Sequence, residues 1–414
     1  MKKHTQSPYE SSKVSYKPSG IEWLGEIPQS WENVSIRSCF TESNQRCNTD
    51  SYPLLSVTIA NGIIYQDDIE NKKDISNDDK SNYKIVPLNA VAYNKMRMWQ
   101  GAVGVNTLTI GIVSPAYIVA IPNEKILPNF VSYLFKSKIM ISEFDKNSYG
   151  LCLDMNNLRY DDFRNIKIPL PPLQEQKEIA EFLDKKCEKI QNYINKKQKL
   201  ITLLQEKKQA LINEVVTKGL NPNIEFKNSG IEYLGLIPHH WEVRRMKFMA
   251  SIHNGREQTE IADENGIYPI YGSGGILGKS MYFIYDKPSV LLGRKGTIDK
   301  PLFVEEPFWT IDTMFYTSVS KIVLPKYFYY LCLTIDFQFY ISGSAIPSMT
   351  QYDLANISFA LPPLQEQKQI ANFLDEKCEK INSAIEKTKK QIELVKEYKN
   401  TFINEAVCGR IRVN

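Results

Sequence analysis

The sequence has little of the material from which catalytic and metal sites are usually built. Its 414 residues contain four histidines (His4, His239, His240 and His253) and seven cysteines. No two cysteines form a CxxC pair, so short spacings supply no zinc-ligand set. An odd number of scattered cysteines favours a reducing, cytoplasmic compartment over a disulfide-linked secreted protein.

Long apolar runs and a strong charge of one sign are also missing. No apolar run of roughly 18 residues is present, and the opening MKKHTQSPYE has no apolar segment behind its lysines, so neither a membrane span nor export is predicted. Lysine and arginine number 51 against 47 acidic residues. This balance permits nucleic-acid binding without requiring it.

The stretches that look most like catalytic motifs are incomplete. Gly272–Ser280, GSGGILGKS, has Ser273 where a phosphate-binding loop needs glycine, and the sequence after it is strand-like and contains a proline. The LPPL stretches lack the acidic or amide residue and the aromatic residue of an amino-methyltransferase motif. No nuclease-type carboxylate cluster accompanies them. We expect no catalysis by this chain, and a flexible glycine loop whose backbone approaches a ligand such as DNA.

Two repeated stretches dominate the sequence. LPPLQEQKEIAEFLDKKCEKI begins at Leu170 and returns at Leu361 with three substitutions. SGIEWLGEIPQSWE begins at Ser19 and returns at Ser229 as SGIEYLGLIPHHWE. Two tandem units are therefore predicted, each with a shared frame around a variable segment.

Each LPPLQEQK stretch predicts the start of a long helix. The prolines suit a first helical turn, and apolar residues then recur every 3.5 residues on average, as in a coiled coil. Glycine ends each helix, at Gly219 and Gly409. Lys208 and Lys399 interrupt the pattern, and we expect them to lie near Asp375 and Asp184 of the opposite helix. The predicted seam comprises Leu183, Cys187, Ile190, Ile194, Ile201, Leu204, Leu211, Leu374, Cys378, Ile381, Ile385, Ile392, Val395 and Phe402.

The fold class predicted is α+β. Two α/β globules would be separated by two long helices that form an antiparallel coiled coil, with pseudo-twofold cyclic symmetry. The expected parts are an N-terminal segment and first globule (1–169), a first helix (170–218), a linker and second globule (219–360), and a second helix with a C-terminal tail (361–414).

Basic, amide and hydroxyl residues follow a predicted strand in each globule. Such residues contact phosphates and base edges, although a solvated charged loop remains the alternative for each of them. The loops 148–157 and 342–349 are weaker candidates. The candidate DNA-binding residues are Asn94, Lys95, Arg97, Trp99, Gln100, Ser273, Lys279, Arg294, Lys295 and Thr297.

Taken together, the repeated openings, the two LPPLQEQK helices and their cyclic order resemble the DNA specificity subunit of a type I restriction-modification system. The resemblance spans nearly the whole chain after about residue 16. It implies two target recognition domains, each reading half of a split double-stranded DNA site.

The resemblance also implies two methyltransferase subunits and two restriction subunits as partners. S-adenosylmethionine, ATP and Mg²⁺ would bind those partners, which would carry adenine-N6 methylation and ATP-dependent cleavage, while this chain binds no cofactor or metal. Two rival interpretations are an enzyme with its own methyltransferase or nucleotide-hydrolysing activity, and a coiled-coil scaffold with no role on DNA.

Overall fold

A computed structural model of the protein describes residues 15–47, 52–69, 80–150, 156–341 and 346–413. The strands of the first half are β1 (Tyr16–Pro18), β2 (Glu26–Pro28), β3 (Glu32–Ser35), β4 (Phe40–Ser43), β5 (Leu55–Thr58), β6 (Gly62–Tyr65), β7 (Lys84–Val86), β8 (Val91–Asn94), β9 (Val103–Val105), β10 (Gly111–Val113), β11 (Tyr117–Pro122) and β12 (Lys167–Leu170). The helices there are α1 (Pro128–Lys136), α2 (Lys138–Lys146), α3 (Tyr160–Phe163) and α4 (Leu173–Lys218).

The second half repeats this order with local changes. Its strands are β13 (Phe226–Asn228), β14 (Leu236–Pro238), β15 (Glu242–Arg245), β16 (Ala250–Asn254), β17 (Tyr268–Gly272), β18 (Gly275–Ser280), β19 (Ser289–Gly293), β20 (Leu302–Val304), β21 (Trp309–Thr310), β22 (Met314–Val319) and β23 (Ser358–Leu361). Its helices are α5 (Pro325–Cys332), α6 (Gln351–Asn356) and α7 (Leu364–Val407).

The chain forms two compact units, and both long helices contribute to each. One unit joins residues 1–196 to residues 391–414, and the other consists of residues 197–390. The C-terminal end of α7 therefore completes the unit that contains the N-terminal globule, as expected for a cyclic order of parts.

The same four-stranded antiparallel sheet occurs in both globules. Its order is β4-β11-β8-β9 in the first and β16-β22-β19-β20 in the second. The globules differ in what is added to this sheet. The first carries the hairpin β5-β6 and the pair β10-β7, and the second carries the three-stranded sheet β18-β17-β21. The mixed α/β content predicted from sequence is confirmed.

A proline-initiated helix closes the core of each globule. Pro128 begins α1 and Pro325 begins α5, where a missing N–H costs nothing. Helix α1 buries an apolar face that includes Phe130 and Leu134, and α5 buries Tyr327 and Phe328. The repeated tryptophans, Trp31 and Trp241, are also buried in these cores.

The long helices pair in antiparallel fashion within each unit. In the first unit the rings of Phe182 on α4 and Phe402 on α7 lie 5.5 Å apart. In the second, the Lys208 amino group donates a hydrogen bond of 3.0 Å to Asn382 Oδ1. The early part of each helix thus lies against the late part of the other. All fourteen residues of the predicted seam are buried or half-buried.

The two glycines after the long helices adopt the left-handed conformation. Gly219 has φ +76° and Gly409 has φ +73°, a region that glycine enters without steric cost. A Cβ on Gly409 would lie 2.5 Å from Pro28 Cδ, and one on Gly219 would lie 3.2 Å from the Trp241 ring. The end of α4 therefore lies against the second copy of the repeated motif, SGIEYLGLIPHHWE. The end of α7 lies against the first copy, SGIEWLGEIPQSWE.

Candidate nucleic-acid interface

The two main groups of predicted DNA-binding residues follow matched strands. β8 and β19 each lie between the same two neighbours in the repeated sheet. In both globules, the residue directly after the strand has its backbone carbonyl bound by a distant loop. Leu158 N–H donates to Lys95 O at 2.8 Å, and Met349 N–H donates to Arg294 O at 3.0 Å. The sequence alone did not show this shared support.

In the first globule the turn after β8 is braced from within. The Asn94 side-chain oxygen accepts the Met96 N–H at 3.0 Å, and the Trp99 indole N–H donates to Met96 O at 3.1 Å. Met98 is fully buried and anchors the turn. The turn ends at Gly101, which has φ +91°. Lys95 is half-buried, whereas Arg97 and Gln100 are exposed. The polar atoms of Asn94 and Trp99 thus shape the turn, and the exposed cation and amide face outward.

Lys136 ties this turn to the neighbouring hairpin. Its amino group donates to Thr58 O at 3.2 Å, Ile59 O at 2.6 Å and Gly101 O at 3.0 Å. Burial lowers the pKa of Lys136 from 10.5 to about 8, because desolvation disfavours the charged form. No sequence signal points to this role, because Lys136 is the last residue of α1, where basic residues are common.

In the second globule several short segments meet at the end of β19. The backbone N–H groups of Arg294 and Lys295 donate to Thr313 O at 2.8 and 3.2 Å. The Arg294 guanidinium donates to Asp312 O at 3.3 Å and lies 5.9 Å from the centre of the Phe315 ring. Lys295 is exposed and Thr297 is half-exposed. Thr313 was not among the predicted residues, although it supports this turn.

The glycine stretch is a β-hairpin and not a flexible loop. Strands β17 and β18 pair across the tip, and Gly275 turns the chain with φ +119°. Ser273 at the tip is close to the Arg294 turn, because a Cβ on Gly296 would lie 3.0 Å from Ser273 Oγ. Lys279 is exposed near the far end of β18, away from that tip. The residues just after β18 are not a strand, since β19 begins only at Ser289.

Only parts of the weaker candidate loops can be located. Residues 151–155 and 342–345 of these loops lie outside the described residues. In the described portions, Tyr149 pairs with Asn157, and Ser348 pairs with Lys295. The second pairing places residue 348 beside the Arg294 turn.

The repeated motifs join each globule to its long helix by duplicated contacts. The Trp31 indole donates to Glu175 at 2.7 Å, and the Trp241 indole donates to Glu366 at 2.9 Å. Tyr133 donates to Asp184 at 2.5 Å. In the second unit Tyr330 donates to Asp375, which also binds Lys326.

A buried glutamine completes each joint. Gln176 donates to Lys125 O at 3.0 Å and Pro171 O at 2.8 Å, and accepts from Leu127 N–H at 2.7 Å. Gln367 repeats this pattern with Ile322 O, Pro362 O and Leu324 N–H. Part of the near identity of the LPPLQEQK copies therefore comes from contacts within the chain.

Two negative findings hold for the part of the chain that the structure describes. It contains no group of three or more His, Cys, Asp or Glu side chains arranged to hold a metal ion. Within the same described ranges, no helix is long and apolar enough to cross a membrane.

Comparisons with known proteins show which family the chain resembles. Residues 28–205 and 238–394 match the type I restriction modification DNA specificity domain. The MjaVIII type I restriction enzyme specificity subunit of Methanocaldococcus jannaschii is 28% identical over 338 residues, covering 73% of this chain and 75% of that protein. A protein of the same organism, assigned as the MjaX specificity subunit, is 25% identical over 435 residues, covering 94% and 96%.

Solved structures show the same fold. A chain from a study of complex assembly and conformational transition of the type I R-M system gives a TM-score of 0.72 at 15% identity, covering 93% of this chain and 99% of its own. The HsdS subunit from Thermoanaerobacter tengcongensis gives 0.51 at 16% identity, covering 93% and 98%. The chain belongs to the family of type I restriction-modification DNA specificity subunits.

Proposed function

We propose that each globule of this specificity subunit reads one half of a split DNA site. The observation that carries this proposal is the matched turn after β8 and β19, the same strand of the same sheet in both globules. Each turn is held by backbone hydrogen bonds and carries cationic side chains. The added hairpins differ between the globules, as reading two different half-sites would require.

The proposed contacts follow from side-chain chemistry. Lys95, Arg97 and Lys295 would bind phosphates or guanine edges, and Gln100 would bind adenine. Arg294 has one donor engaged with the backbone and others left for DNA. Ser273, Thr297 and Lys279 would add contacts from the second globule, whereas Asn94 and Trp99 would act mainly by shaping their turn.

The partners are part of the proposal. Two methyltransferase subunits and two restriction subunits would assemble on the repeated frame. Gln176 and Gln367 face their own globules, so the outward residues of each LPPLQEQK copy are the ones open to a partner. Leu173 and Leu364, at matched positions, are exposed in both copies. The three substituted positions (178/369, 181/372, 185/376) are mostly exposed, so the two copies differ on their outer face.

In the assembled complex the partners would supply the chemistry. They would bind S-adenosylmethionine, ATP and Mg²⁺, methylate adenine N6 and cleave DNA, while this chain would supply specificity and scaffold without a cofactor of its own. The domain boundaries proposed are 1–169 and 219–360 for the recognition parts and 170–218 and 361–414 for the helical parts. A cytoplasmic location follows from access to cellular DNA.

The direct test is methylation mapping of cells that express this chain with its methyltransferase partner. We expect adenine methylation at a two-part sequence. Replacing residues 33–169 by the corresponding segment of another specificity subunit should change one half of that sequence and leave the other half intact. A methylated sequence that does not change after this exchange would refute the assignment of one half-site to each globule.

A further inference from the structure

Apolar side chains project beside the cationic turns of both globules. In the first, Met96 lies between Lys95 and Arg97 and is 49% exposed. In the second, Ile276 and Leu277 directly follow the hairpin tip and are 64% and 54% exposed. Leaving large apolar groups in water forgoes the stabilisation of burial. Ile276 and Leu277 are adjacent, and contiguous exposed apolar residues mark contact surfaces. Met96 is a single exposed residue, and its case rests on the cations on either side of it.

The backbone holds Met96 outward. Its N–H is bound by the Asn94 side chain and its carbonyl by the Trp99 indole. Two residues on, Met98 is fully buried and fixes the turn to the core. Met96 therefore cannot fold into the interior without breaking both hydrogen bonds.

The hairpin of the second globule presents its apolar residues in a comparable way. Ile276 pairs with Tyr271 across the two strands and Lys279 pairs with Pro269, so Ile276 and Lys279 lie on the same face of the hairpin. The register shifts between Ile270 and Tyr271, so Leu277 is the extra residue of a bulge. The tip that precedes these residues lies against Gly296 and so next to the Arg294 turn.

We propose that Met96 in the first globule, and Ile276 with Leu277 in the second, press against the bases of their half-sites. The proposal deepens the proposed function and rests on it. DNA is the occupant that the flanking charges favour, because Lys95, Arg97 and Lys279 bring phosphates to these side chains. Apolar residues contact thymine methyl groups or wedge between base steps when a cationic surface holds the duplex.

The experiment uses the full chain assembled with its methyltransferase and a duplex that contains the site found by methylation mapping. Met96→Ala should weaken binding about tenfold, and Ile276→Ala with Leu277→Ala should do the same. Met96→Leu, which keeps an apolar group, should restore affinity, whereas Met96→Gln should not. Each variant should lose sequence preference in one half-site and keep it in the other.

Matched controls lie at the opposite end of each repeated sheet. Ile121 is 41% exposed and pairs with Thr41, remote from the turn after β8, and Phe248 is 58% exposed just before β16. Ile121→Ala and Phe248→Ala should bind DNA within twofold of wild type. Thermal unfolding of every variant checks that the fold is intact.

The possible results separate this inference from the function on which it rests. If Met96→Ala binds like Ile121→Ala while Arg97→Ala binds weakly, the apolar contact is refuted and DNA reading stands. If Met96→Ala loosens assembly with the methyltransferase at unchanged DNA affinity, the surface is a protein contact and the inference is wrong. A wild-type complex without sequence preference would overturn the proposed function itself.

Discussion

Replacing Gln176 should loosen the joint between the first globule and its long helix. The side chain is fully buried and satisfies three backbone groups, the carbonyls of Lys125 and Pro171 and the N–H of Leu127. Gln176→Ala would leave them without their partner. Each unsatisfied buried group costs about 1–3 kcal/mol. Because segment 125–127 lies near the surface and water can reach part of it, we expect a total of about 3 kcal/mol.

That free energy corresponds to a more than hundredfold rise in the opening equilibrium of the segment, since about 1.4 kcal/mol is a factor of ten. Native-state hydrogen exchange at the Ile126 amide, which donates to Asn123 O and not to Gln176, measures it. Gln174→Ala is the matched control, because Gln174 lies two residues away but is exposed and bonds only to Glu178 on its own helix. Equal exchange rates in the two variants would show that Gln176 does not hold the first globule to its long helix.

Three further perturbations test other parts of the structure. Because the pKa of Lys136 is lowered from 10.5 to about 8, unfolding takes up a proton between those values. Between pH 7.5 and 9.5 the free energy of unfolding of wild type should therefore rise by about 1 kcal/mol relative to Lys136→Met, allowing for partial exposure. Hydrogen exchange in residues 58–62 that follows the same pH course in both proteins would contradict this. Gly409→Ala should destabilise by about 2 kcal/mol, from left-handed strain and a clash with Pro28, and an unchanged melting temperature would rule that out. A double-mutant cycle between Lys208 and Asn382 should give a coupling of about 0.5 kcal/mol, whereas zero coupling would make their hydrogen bond incidental.

The long helices were the most predictable part of the fold because their pattern is local. Apolar residues at steps of three and four give both the helix and the side that it buries. The partner of Lys208 was less predictable. Lys208 was expected to lie near Asp375, and the two residues do line the same cavity. Tyr330 and Lys326 bind the Asp375 carboxylate, however, and the Lys208 amino group donates to Asn382. Competition from a third element is invisible in a helix pattern.

Contacts between residues distant in sequence explain most of what remained hidden. Glu175 lies in the first turn of α4, where its charge favours the helix dipole, and its carboxylate also accepts from the Trp31 indole, 144 positions away. The partners of Lys136 are backbone carbonyls at positions 58, 59 and 101, which a local sequence pattern cannot show. The outward position of Met96 depends on its hydrogen bonds with Asn94 and Trp99, which the surrounding cationic sequence does not reveal.

The glycine stretch shows why composition alone misled. Four glycines near Ser273 suggested a flexible loop, but strand pairing with β17 needs only that the chain reverse at Gly275. Strand β17 contains Pro269 and ends at the first of these glycines, and a proline weakens the sequence signal for a strand. The candidate DNA-binding residues remain predictions, because the sequence and the fold give the positions of these residues but not the DNA bases that they would contact.

Methylation mapping tests the central claim most directly. The wild-type chain with its methyltransferase should direct adenine methylation to one two-part sequence. Lys95→Ala with Arg97→Ala should relax or abolish recognition of one half, and Arg294→Ala with Lys295→Ala should do so for the other. Methylation that depends on neither pair, or that falls on a single uninterrupted motif, would contradict the account of two globules reading separate halves.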